Sequence, residues 1–480
     1  MKKTTKMISV DLARLALFFF LFLSLEYYYD TMLGSIVVPS QVVLGQGTIL
    51  GASVLGFGAF CLYPRLRHGL RLALNICCPA IILACAVLLC HLTDSNAFQA
   101  TGCIAFFFLG FIGGYAHWRI ALQGCANGHI AFCVGLSYAM GIALQTILLA
   151  VCSAFAFAIP GIAVGMLAFI VSCFMAEMKD IPIVRSEKIG HANIQGDDQM
   201  PSDAAALGSQ ASAESSQHKQ LAWSVAIVAL LSVMFITLDN MITLTDAEGT
   251  VNVAGLPRLL LALSALCAGF LYDIRNGRFT NIIMFCVVLV STITILAFEA
   301  NSNHLLPLVF FYITSGFFVI YFTTRFIVLA PKTNAPAFWA SMGRMINNIC
   351  AFGLSWLSLI LIETATYNQM MIASIAILAF TSIAFFASGA FNLSIAKPSA
   401  ACSDEGHSTR KSIFVKTYGL TPREAEVLGS VTSSEKPLKA IAAEMDISLR
   451  MLQKHLTSIY QKTDTQTRAG LTKKYMSEIV

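Results

Sequence analysis

The sequence predicts an all-α protein that crosses a membrane many times and ends in a separate helical domain. Hydrophobic residues make up 57% of the 480 positions and charged residues only 12%, against roughly 25% charged in a soluble globular protein. Twelve apolar runs are each long enough for a helix of about 20 residues that spans a bilayer. Residues 411–480 are polar and have the spacing of short helices. This composition excludes an ordinary soluble enzyme, a disordered chain and a secreted disulfide scaffold.

The apolar runs must form helices in lipid, because lipid cannot satisfy free backbone N–H and C=O groups. Their order and spacing predict a polytopic membrane protein with twelve transmembrane helices. The runs lie near residues 12–36, 45–62, 72–92, 98–118, 130–150, 154–176, 220–244, 253–271, 281–299, 305–330, 338–362 and 370–393.

A polar segment at 177–219 divides the spans six and six. It contains a tract rich in alanine, serine and glutamine, which predicts a flexible loop. A second polar stretch separates the last span from the tail. The predicted parts are a transmembrane domain at 1–396 with halves 1–176 and 220–393, a linker at 397–413, and a soluble domain at 414–480.

Lysine and arginine gather in the loops on one side of the predicted membrane, which indicates that this side is cytoplasmic. The opposite loops carry mostly acids, with Arg258 as the exception just inside a span. We therefore expect a multi-pass protein of the bacterial inner membrane, with lipid around it and both termini in the cytoplasm. The basic residues on that side include Lys2, Lys3, Lys6, Arg65, Arg67, Arg71, Arg119, Lys179, Arg185, Lys188, Arg275, Arg278, Lys332 and Lys397.

Two features of the spans point to a duplicated bundle. The segments Phe22–Glu26 and Phe235–Asp239 both follow the pattern Phe-x-[Ser/Thr]-Leu-acid in the first span of their half. The segment Gly269–Arg278 reads Gly-Phe-Leu-Tyr-Asp-Ile-Arg-Asn-Gly-Arg and follows the eighth span. It resembles the G-x-L-x-D-R-x-G-R loop of the major facilitator superfamily, a resemblance that covers residues 12–393. This resemblance implies two six-helix halves around a central cavity.

Ionisable residues inside the spans are candidate ligand contacts, because a charge in lipid costs several kcal/mol. Glu26 and Asp239 occupy matching places in the two halves and would face one cavity. Tyr27 and Arg325 complete the predicted site for a small-molecule ligand. An aromatic ring beside an acid suits a cationic or aromatic ligand.

Other interpretations of these residues stay open from the sequence. Glu26 and Asp239 would instead pair with an arginine for structure alone. The tyrosines at 27–29 would form part of an interfacial aromatic belt. Asp30 would lie at the outer interface, and Arg344 would extend to the inner one.

The tail carries the start signals of several helices. Thr421 caps a helix, with Pro422 at its first position and Glu424 closing a capping box. A tight turn at 446–448 follows a second apolar face, and Ser448 caps the next helix. That helix directs Leu452, Leu456 and Ile459 inward, and a last helix is expected at about 466–478. Two short helices joined by a tight turn predict a helix-turn-helix, whose second helix enters the major groove.

The tail resembles the LuxR/NarL-type DNA-binding domain, which has four helices. The family pattern is L-T-x-R-E-x-E-V-L, then I-A-x-x-L-x-I-S, then T-V-K-x-H-x-x-x-I-Y-x-K. The matching residues are Leu420, Thr421, Arg423, Glu424, Glu426, Val427, Leu428, Ile441, Ala442, Ile447, Ser448, His455, Ile459, Tyr460, Lys462 and Arg468.

This resemblance implies binding to double-stranded DNA as a homodimer. Met451 stands where the family has threonine, and Gln453 where it has lysine, so one phosphate or base contact is lost. Gln453 can still bind adenine in a bidentate manner. The last helix would dimerise through Leu471, Tyr475 and Ile479. The predicted DNA contacts are Lys439, Ser448, Arg450, Met451, Gln453, Lys454, His455, Ser458 and Lys462.

Together these features favour a membrane-embedded, one-component transcriptional regulator that senses a small molecule or membrane signal and binds DNA through its tail. The alternative is a major facilitator-like transporter with an attached regulatory DNA-binding domain. A third possibility is a bundle that merely anchors a regulator. The sequence has no nucleophile elbow, phosphate loop or metal-ligand spacing. It therefore predicts no enzyme activity, catalytic residue, metal site or cofactor.

Overall fold

The chain divides into two compact units, Met1–Asn392 and Leu393–Val480. A computed structural model describes their architecture. The described residues are 2–124, 129–152, 154–177, 203–251, 253, 256–275, 277–300, 305–364, 366–388, 414, 417–432, 438, 441–442, 445 and 447–477.

The described residues of the first unit form helices and connecting turns, without strands. Twelve of these helices have 18 residues or more. Several begin with ordinary helix-start signals, such as Pro39 at the first position of one helix and the Thr366–Gln369 capping box of another. The helices are α1 (Lys2–Gly34), α2 (Pro39–Ala59), α3 (His68–Leu89), α4 (Ser95–Gly124), α5 (Ile130–Val151), α6 (Phe155–Glu177), α7 (Asp203–Ala247), α8 (Leu256–Asp273), α9 (Thr280–Ala300), α10 (Leu305–Leu329), α11 (Pro336–Trp339), α12 (Met342–Thr364) and α13 (Tyr367–Ala387).

Eight helices in the described part of the chain are long and apolar enough to cross a membrane, judged by length and composition. Two further apolar helices, Thr280–Leu296 and Met371–Ala387, are shorter. The remaining long helices of the bundle are α1, which carries Glu26 and Asp30, and α8, which carries Arg258 and Asp273. The prediction of a helical membrane protein is thus confirmed, whereas the count of twelve spans stays a prediction.

Helices α2 and α4 pack with their backbones in close contact. A Cβ atom on Gly56 would lie 1.8 Å from the carbonyl oxygen of Phe107, and one on Gly110 would lie 2.0 Å from that of Ser53. Only glycine allows this approach, because any larger residue would meet backbone that cannot turn away. The glycines therefore fix the distance between the two helices.

Replacing Gly56 by alanine is expected to lower the free energy of unfolding of the bundle by about 2–3 kcal/mol through overpacking. The matched control is Gly58→Ala two positions along, because a Cβ there meets no atom within 4 Å. That control should be neutral or slightly stabilising, since alanine favours helix. Thermal unfolding of the detergent-purified protein measures both, and equal midpoints would contradict the close packing.

The second unit has its own apolar core. The helices described there are α14 (Pro422–Thr432), α15 (Leu449–Thr463) and α16 (Arg468–Ser477). Residues from all three meet in that core, including Val427, Leu456 and Leu471. Helix α16 agrees with the last helix expected at about 466–478. Most of the first helix of the predicted helix-turn-helix pair lies outside the described residues, so that motif stays a prediction.

The helix starts predicted for the tail are confirmed. The Glu424 backbone N–H donates to Thr421 Oγ1 at 3.4 Å, and the Thr421 backbone N–H donates to Glu424 Oε2 at 2.7 Å. The two bonds make the predicted capping box. Ser448 Oγ accepts from the Met451 backbone N–H at 3.2 Å, as an N-cap of α15 does. The predicted inward residues of α15 are also buried.

The expected dimer contacts on the last helix need correction. Leu471 is 0% exposed and Tyr475 3% exposed, because both pack into the core of the second unit. Side chains that complete the core of their own unit cannot also form an apolar interface with a partner copy. Ile479, the third predicted contact, lies outside the described residues.

Candidate functional site

A cavity of about 530 Å³ lies between the two halves of the bundle. Helices α1, α2 and α5 line it from the first half, and α7, α8, α10 and α12 from the second. It extends to Gly34 and Ala247, which are the last residues of α1 and α7. Its polar lining residues include Glu26, Tyr27, Asp30, Gln46, Tyr138, Asp239, Asp246, Arg258, Tyr312, Arg344, Asn347 and Asn348.

Acids from both halves face this one cavity. Glu26 on α1 and Asp239 on α7 both line it, as the matching patterns in the two halves predict. Asp30 and Asp246 lie further along the same helices and line it too. The charge on Glu26 acts on Asp239, so the two carboxylates interact electrostatically across the two halves. The sequence repeat thus corresponds to a real juxtaposition, while ligand binding by these acids stays a prediction.

Arg344 lines the cavity from α12 and is 7% exposed. Its guanidinium carbon lies 5.7 Å, 5.6 Å and 5.7 Å from the ring centres of Phe19, Phe22 and Phe322. These distances are those of cation–π contacts. The idea that Arg344 extends to the inner interface is therefore wrong, because its charged group is held among buried rings.

Arg258 is the second arginine of the cavity. Its guanidinium carbon lies 5.3 Å from the ring centre of Tyr27, and its Nη1 donates to Gln145 Oε1 at 3.4 Å. Tyr27 therefore lines the cavity beside a cation rather than an acid alone. The neighbouring Tyr28 and Tyr29 are 3% and 0% exposed, so they are buried in the bundle and do not form an aromatic belt toward lipid.

Arg325, the fourth predicted ligand contact, lies away from the cavity. Helix α10 lines the cavity with Tyr312, Ser315 and Val319, which are spaced three and four residues apart. Arg325 follows Val319 by six residues, and at about 100° per residue it lies on a different face of the helix. Its Nε donates to Ser224 Oγ at 3.1 Å instead.

Several cavity residues were not among the predicted ligand contacts. Asp30 follows Glu26 by four residues, and Asp246 follows Asp239 by seven, which are the spacings of one helix face. That spacing was a usable signal for both acids. The polar residues Gln46 and Asn347 gave no comparable signal, because single amides in apolar runs are also common where they only join helices.

The facilitator-like loop motif joins the two halves at the other end of the bundle. Both carboxylate oxygens of Asp273 accept hydrogen bonds from the first turn of α5, from the backbone N–H of Ala131 at 3.2 Å and of Phe132 at 2.8 Å. A carboxylate at a helix N-terminus satisfies free donors and complements the helix dipole. Just beyond, a Cβ on Gly269 would lie 2.7 Å from the carbonyl oxygen of Ala131, so α8 and α5 are in close contact.

Replacing Asp273 by alanine should remove both bonds and lower the free energy of unfolding of the bundle by about 1–2 kcal/mol. The thermal midpoint of the purified protein reports this loss. Glu248→Gln is the control, because Glu248 is an exposed acid in the same unit. A midpoint as high as that of the control would show that the Asp273 contact contributes nothing.

The second unit presents part of the predicted DNA-binding surface on α15. Arg450, Met451, Gln453 and Lys454 are exposed, and His455 is half-buried. Ser448 is occupied as the helix cap. Lys439 lies outside the described residues. The predicted DNA contacts that are exposed therefore lie in the first turn and a half of α15.

Two predicted DNA contacts bind instead to an acid of their own unit. Lys462 Nζ donates to Glu424 Oε2 at 2.7 Å, and Ser458 Oγ donates to Glu424 Oε1 at 2.6 Å. Glu424 is 4% exposed. Burial alone would raise the pKa of this carboxyl, but the hydrogen bonds from Lys462, Ser458 and Thr421 outweigh burial and lower the pKa to about 2. Ser458 and Lys462 therefore link α15 to α14 through their hydrogen bonds to Glu424.

Comparison with known proteins finds a likeness in structure. No protein-family model and no curated protein sequence matches the chain. Among solved structures, the human organic anion transporter MFSD10 (TETRAN) superposes with a TM-score of 0.52 at 14% identity, over 80% of this chain and 99% of that one. The chain therefore shares the fold of that transporter. The predicted resemblance of the bundle to the major facilitator superfamily is confirmed at the level of fold. The DNA-binding resemblance of the tail has no such support.

Proposed function

We propose that the bundle is a major facilitator-like transporter for a charged small molecule and that the tail is a regulatory DNA-binding unit attached to it. The observation that carries the first part is the cavity between the halves, lined by acids and arginines from both. Charged groups are costly inside a membrane protein and are retained there mainly for function. The facilitator fold supports the same conclusion.

The geometry suggests how access to the cavity would alternate. The cavity reaches the ends of α1 and α7, which the distribution of lysine and arginine assigns to the outer face. At the opposite end, Asp273 bonds to the start of α5 and closes α8 against it. A ligand that binds more tightly when the halves are tilted the other way would shift the population toward an inward-open state. Release of the Asp273 bonds would accompany that shift.

Exchange across liposomes tests transport even while the substrate is unidentified. Liposomes containing the protein are loaded with a bacterial metabolite extract, diluted into an isotope-labelled extract, and analysed by mass spectrometry. At least one species should exchange faster than in protein-free liposomes, and Asp239→Asn should abolish that exchange. Arg325→Gln, a substitution outside the cavity, should leave it intact. Identical exchange in protein-containing and protein-free liposomes would contradict transport.

A one-component regulator is the second candidate function. The observation that favours it is α15, which begins at the predicted cap, buries its predicted apolar face and exposes Arg450, Gln453 and Lys454. In this case the bundle would sense a ligand, and the tail would bind DNA in response. Ligand-dependent expression of a reporter gene without any metabolite exchange would select the regulator over the transporter.

DNA binding by the tail is tested on the full chain in lipid nanodiscs, with a duplex from its own upstream region. Replacing Arg450 and Lys454 together by alanine should weaken binding about tenfold or more and flatten the salt dependence, because two cations near the phosphates are lost. Arg423→Ala is the control, since Arg423 is an exposed cation of α14 that pairs with Glu426 at 2.5 Å. Equal affinity of the double variant and the control would contradict the assignment of α15.

A further inference from the structure

Arg344 and the acids of α1 lie at different levels of the cavity. Phe22, which contacts Arg344, precedes Glu26 by four residues on α1, and Asp30 follows by four more. Each step of four residues corresponds to about 6 Å along a helix. Arg344 therefore lies about one turn from the level of Glu26, on the side away from Asp30. Arg344 is therefore at the inner end of the cavity, and the acids lie in its middle and outer part, together with Arg258, which contacts Tyr27.

The charged groups of the cavity do not neutralise one another by direct contact. Four carboxylates, those of Glu26, Asp30, Asp239 and Asp246, and two guanidiniums line it. Among the described residues, none of these six groups forms an ion pair within 4.0 Å. A purely structural role would bring acid and arginine together, because a buried charge is stabilised mainly by a bonded partner. Because these groups are not paired directly, they are available to a ligand in the cavity.

Arg344 lacks the partners that a buried arginine needs. Its Nε and Nη2, which share one edge of the guanidinium, have no hydrogen-bond acceptor among the described residues. The rings of Phe19, Phe22 and Phe322 stabilise the cation through their faces, but they do not replace an in-plane acceptor. A carboxylate is the group that fits such an edge best, since it accepts two parallel N–H bonds.

One carboxylate oxygen in the acidic part of the cavity also lacks a partner. Asp30 Oδ1 has no donor among the described residues although it is buried. Glu26 and Asp239 come from opposite halves, and each repels the other. A protonated amine placed between them would donate to both and also offset their mutual repulsion, which a neutral donor does not do.

We propose that the cavity binds an amphoteric small molecule, with its carboxylate against Arg344 and its protonated amine between Glu26 and Asp239. This inference rests on the proposed function for one premise only, namely that the cavity binds a ligand. It holds equally for a transported substrate and for a sensed effector. A ligand with one type of charge would leave either the arginine or the acid pair without a partner.

Three probes of equal chain length separate the contributions of the two charges. 4-Aminobutyrate carries both charges, butyrate only the anionic one, and butylamine only the cationic one. At millimolar concentration, 4-aminobutyrate should raise the thermal midpoint of the detergent-purified full chain by about 2 °C, more than butyrate and butylamine together. An equal or larger shift with either single-charge probe, or no shift with any probe, would overturn the proposal.

Variants then assign the two ends of the ligand. Arg344→Gln should abolish the shifts caused by 4-aminobutyrate and butyrate, and Glu26→Gln should abolish those caused by 4-aminobutyrate and butylamine. Arg325→Gln, outside the cavity, should keep the wild-type response. If Arg344→Gln does not fold, Arg344→Lys serves instead, and it should weaken the 4-aminobutyrate shift because a point charge replaces the planar edge. An undiminished shift in the cavity variants would overturn the assignment.

The outcome is independent of the transport experiment. Binding is measured on solubilised protein, where no gradient or exchange is involved. Probe binding without metabolite exchange would overturn transport and leave the amphoteric site intact. Exchange confined to species with a single type of charge would overturn the amphoteric site and leave transport intact.

Discussion

Replacing Asp11 by alanine is expected to lower the free energy of unfolding of the bundle by about 3–5 kcal/mol. Asp11 is 2% exposed and forms ion pairs with two buried arginines, Arg14 and Arg119. Arg14 is 0% exposed and also donates from Nε to Ser172 Oγ at 3.1 Å. Removing the carboxylate would leave two guanidiniums buried without their shared counter-ion. The midpoint of thermal unfolding, or the yield of monomeric protein in detergent, measures the effect.

A double substitution separates the loss of the ion pair from the loss of packing. Asp11→Leu combined with Arg14→Met removes both partners and fills the space with apolar groups of similar size. Such a replacement is often close to neutral for the pair that it removes, and only Arg119 then loses the Asp11 carboxylate. It should therefore recover at least half of the loss. If Asp11→Ala alone behaves like the wild type, the network that joins α1, α4 and α6 does not stabilise the bundle.

Replacing Glu424 by glutamine is expected to destabilise the second unit by about 3 kcal/mol near neutral pH. The substitution leaves Lys462 and Ser458 without their carboxylate acceptor. Urea unfolding of a fragment spanning 393–480, which has its own core, gives the free energy directly. Glu426→Gln is the matched control, because Glu426 is half exposed and pairs only with the exposed Arg423. Exposed pairs contribute little, so the control should change by about 0.5 kcal/mol or less.

The same contact predicts the acid sensitivity of the second unit. The pKa of Glu424 is about 2 in the folded unit, below its usual value near 4.5. A lowered pKa stabilises the folded state at any pH above the usual value, and this contribution is lost as the pH falls from about 4.5 to about 2. The wild-type fragment should therefore lose about 3 kcal/mol over that interval through this group, whereas Glu424→Gln should lack that contribution. Parallel pH profiles for the two proteins would contradict the prediction.

The sequence was sufficient where a pattern repeats or a local signal is strong. The pairing of Glu26 and Asp239 in one cavity followed from the matching patterns of the two halves. The caps at Thr421 and Ser448 followed from residue types that bond to their own next turn. Such bonds depend on a few neighbouring residues and are therefore independent of the tertiary structure.

Predictions failed where they depended on the rotation of a helix or on a distant partner. Arg325 and Arg344 are both arginines in apolar runs, yet only Arg344 lies on the face that lines the cavity. In a bundle helix that is apolar around most of its surface, hydrophobic periodicity does not show which face is inside. Lys462 has the residue type of a phosphate contact, but its partner is Glu424, 38 residues earlier in the chain. Leu471 has the residue type of a dimer contact, but its side chain is buried in the core of its own unit.

The glycine contacts between α2 and α4 limit the ways in which the first half can deform. Gly56 lies against the Phe107 carbonyl, and Gly110 lies against the Ser53 carbonyl. Because the two backbones are in contact at both places, neither helix can slide along the other without a steric clash. Helix α2 lines the cavity with Val42, Gln46 and Leu50, whereas α4 lies behind it. Any opening of the cavity must therefore move α2 and α4 together as one rigid unit, and the bending points must lie in other parts of the bundle.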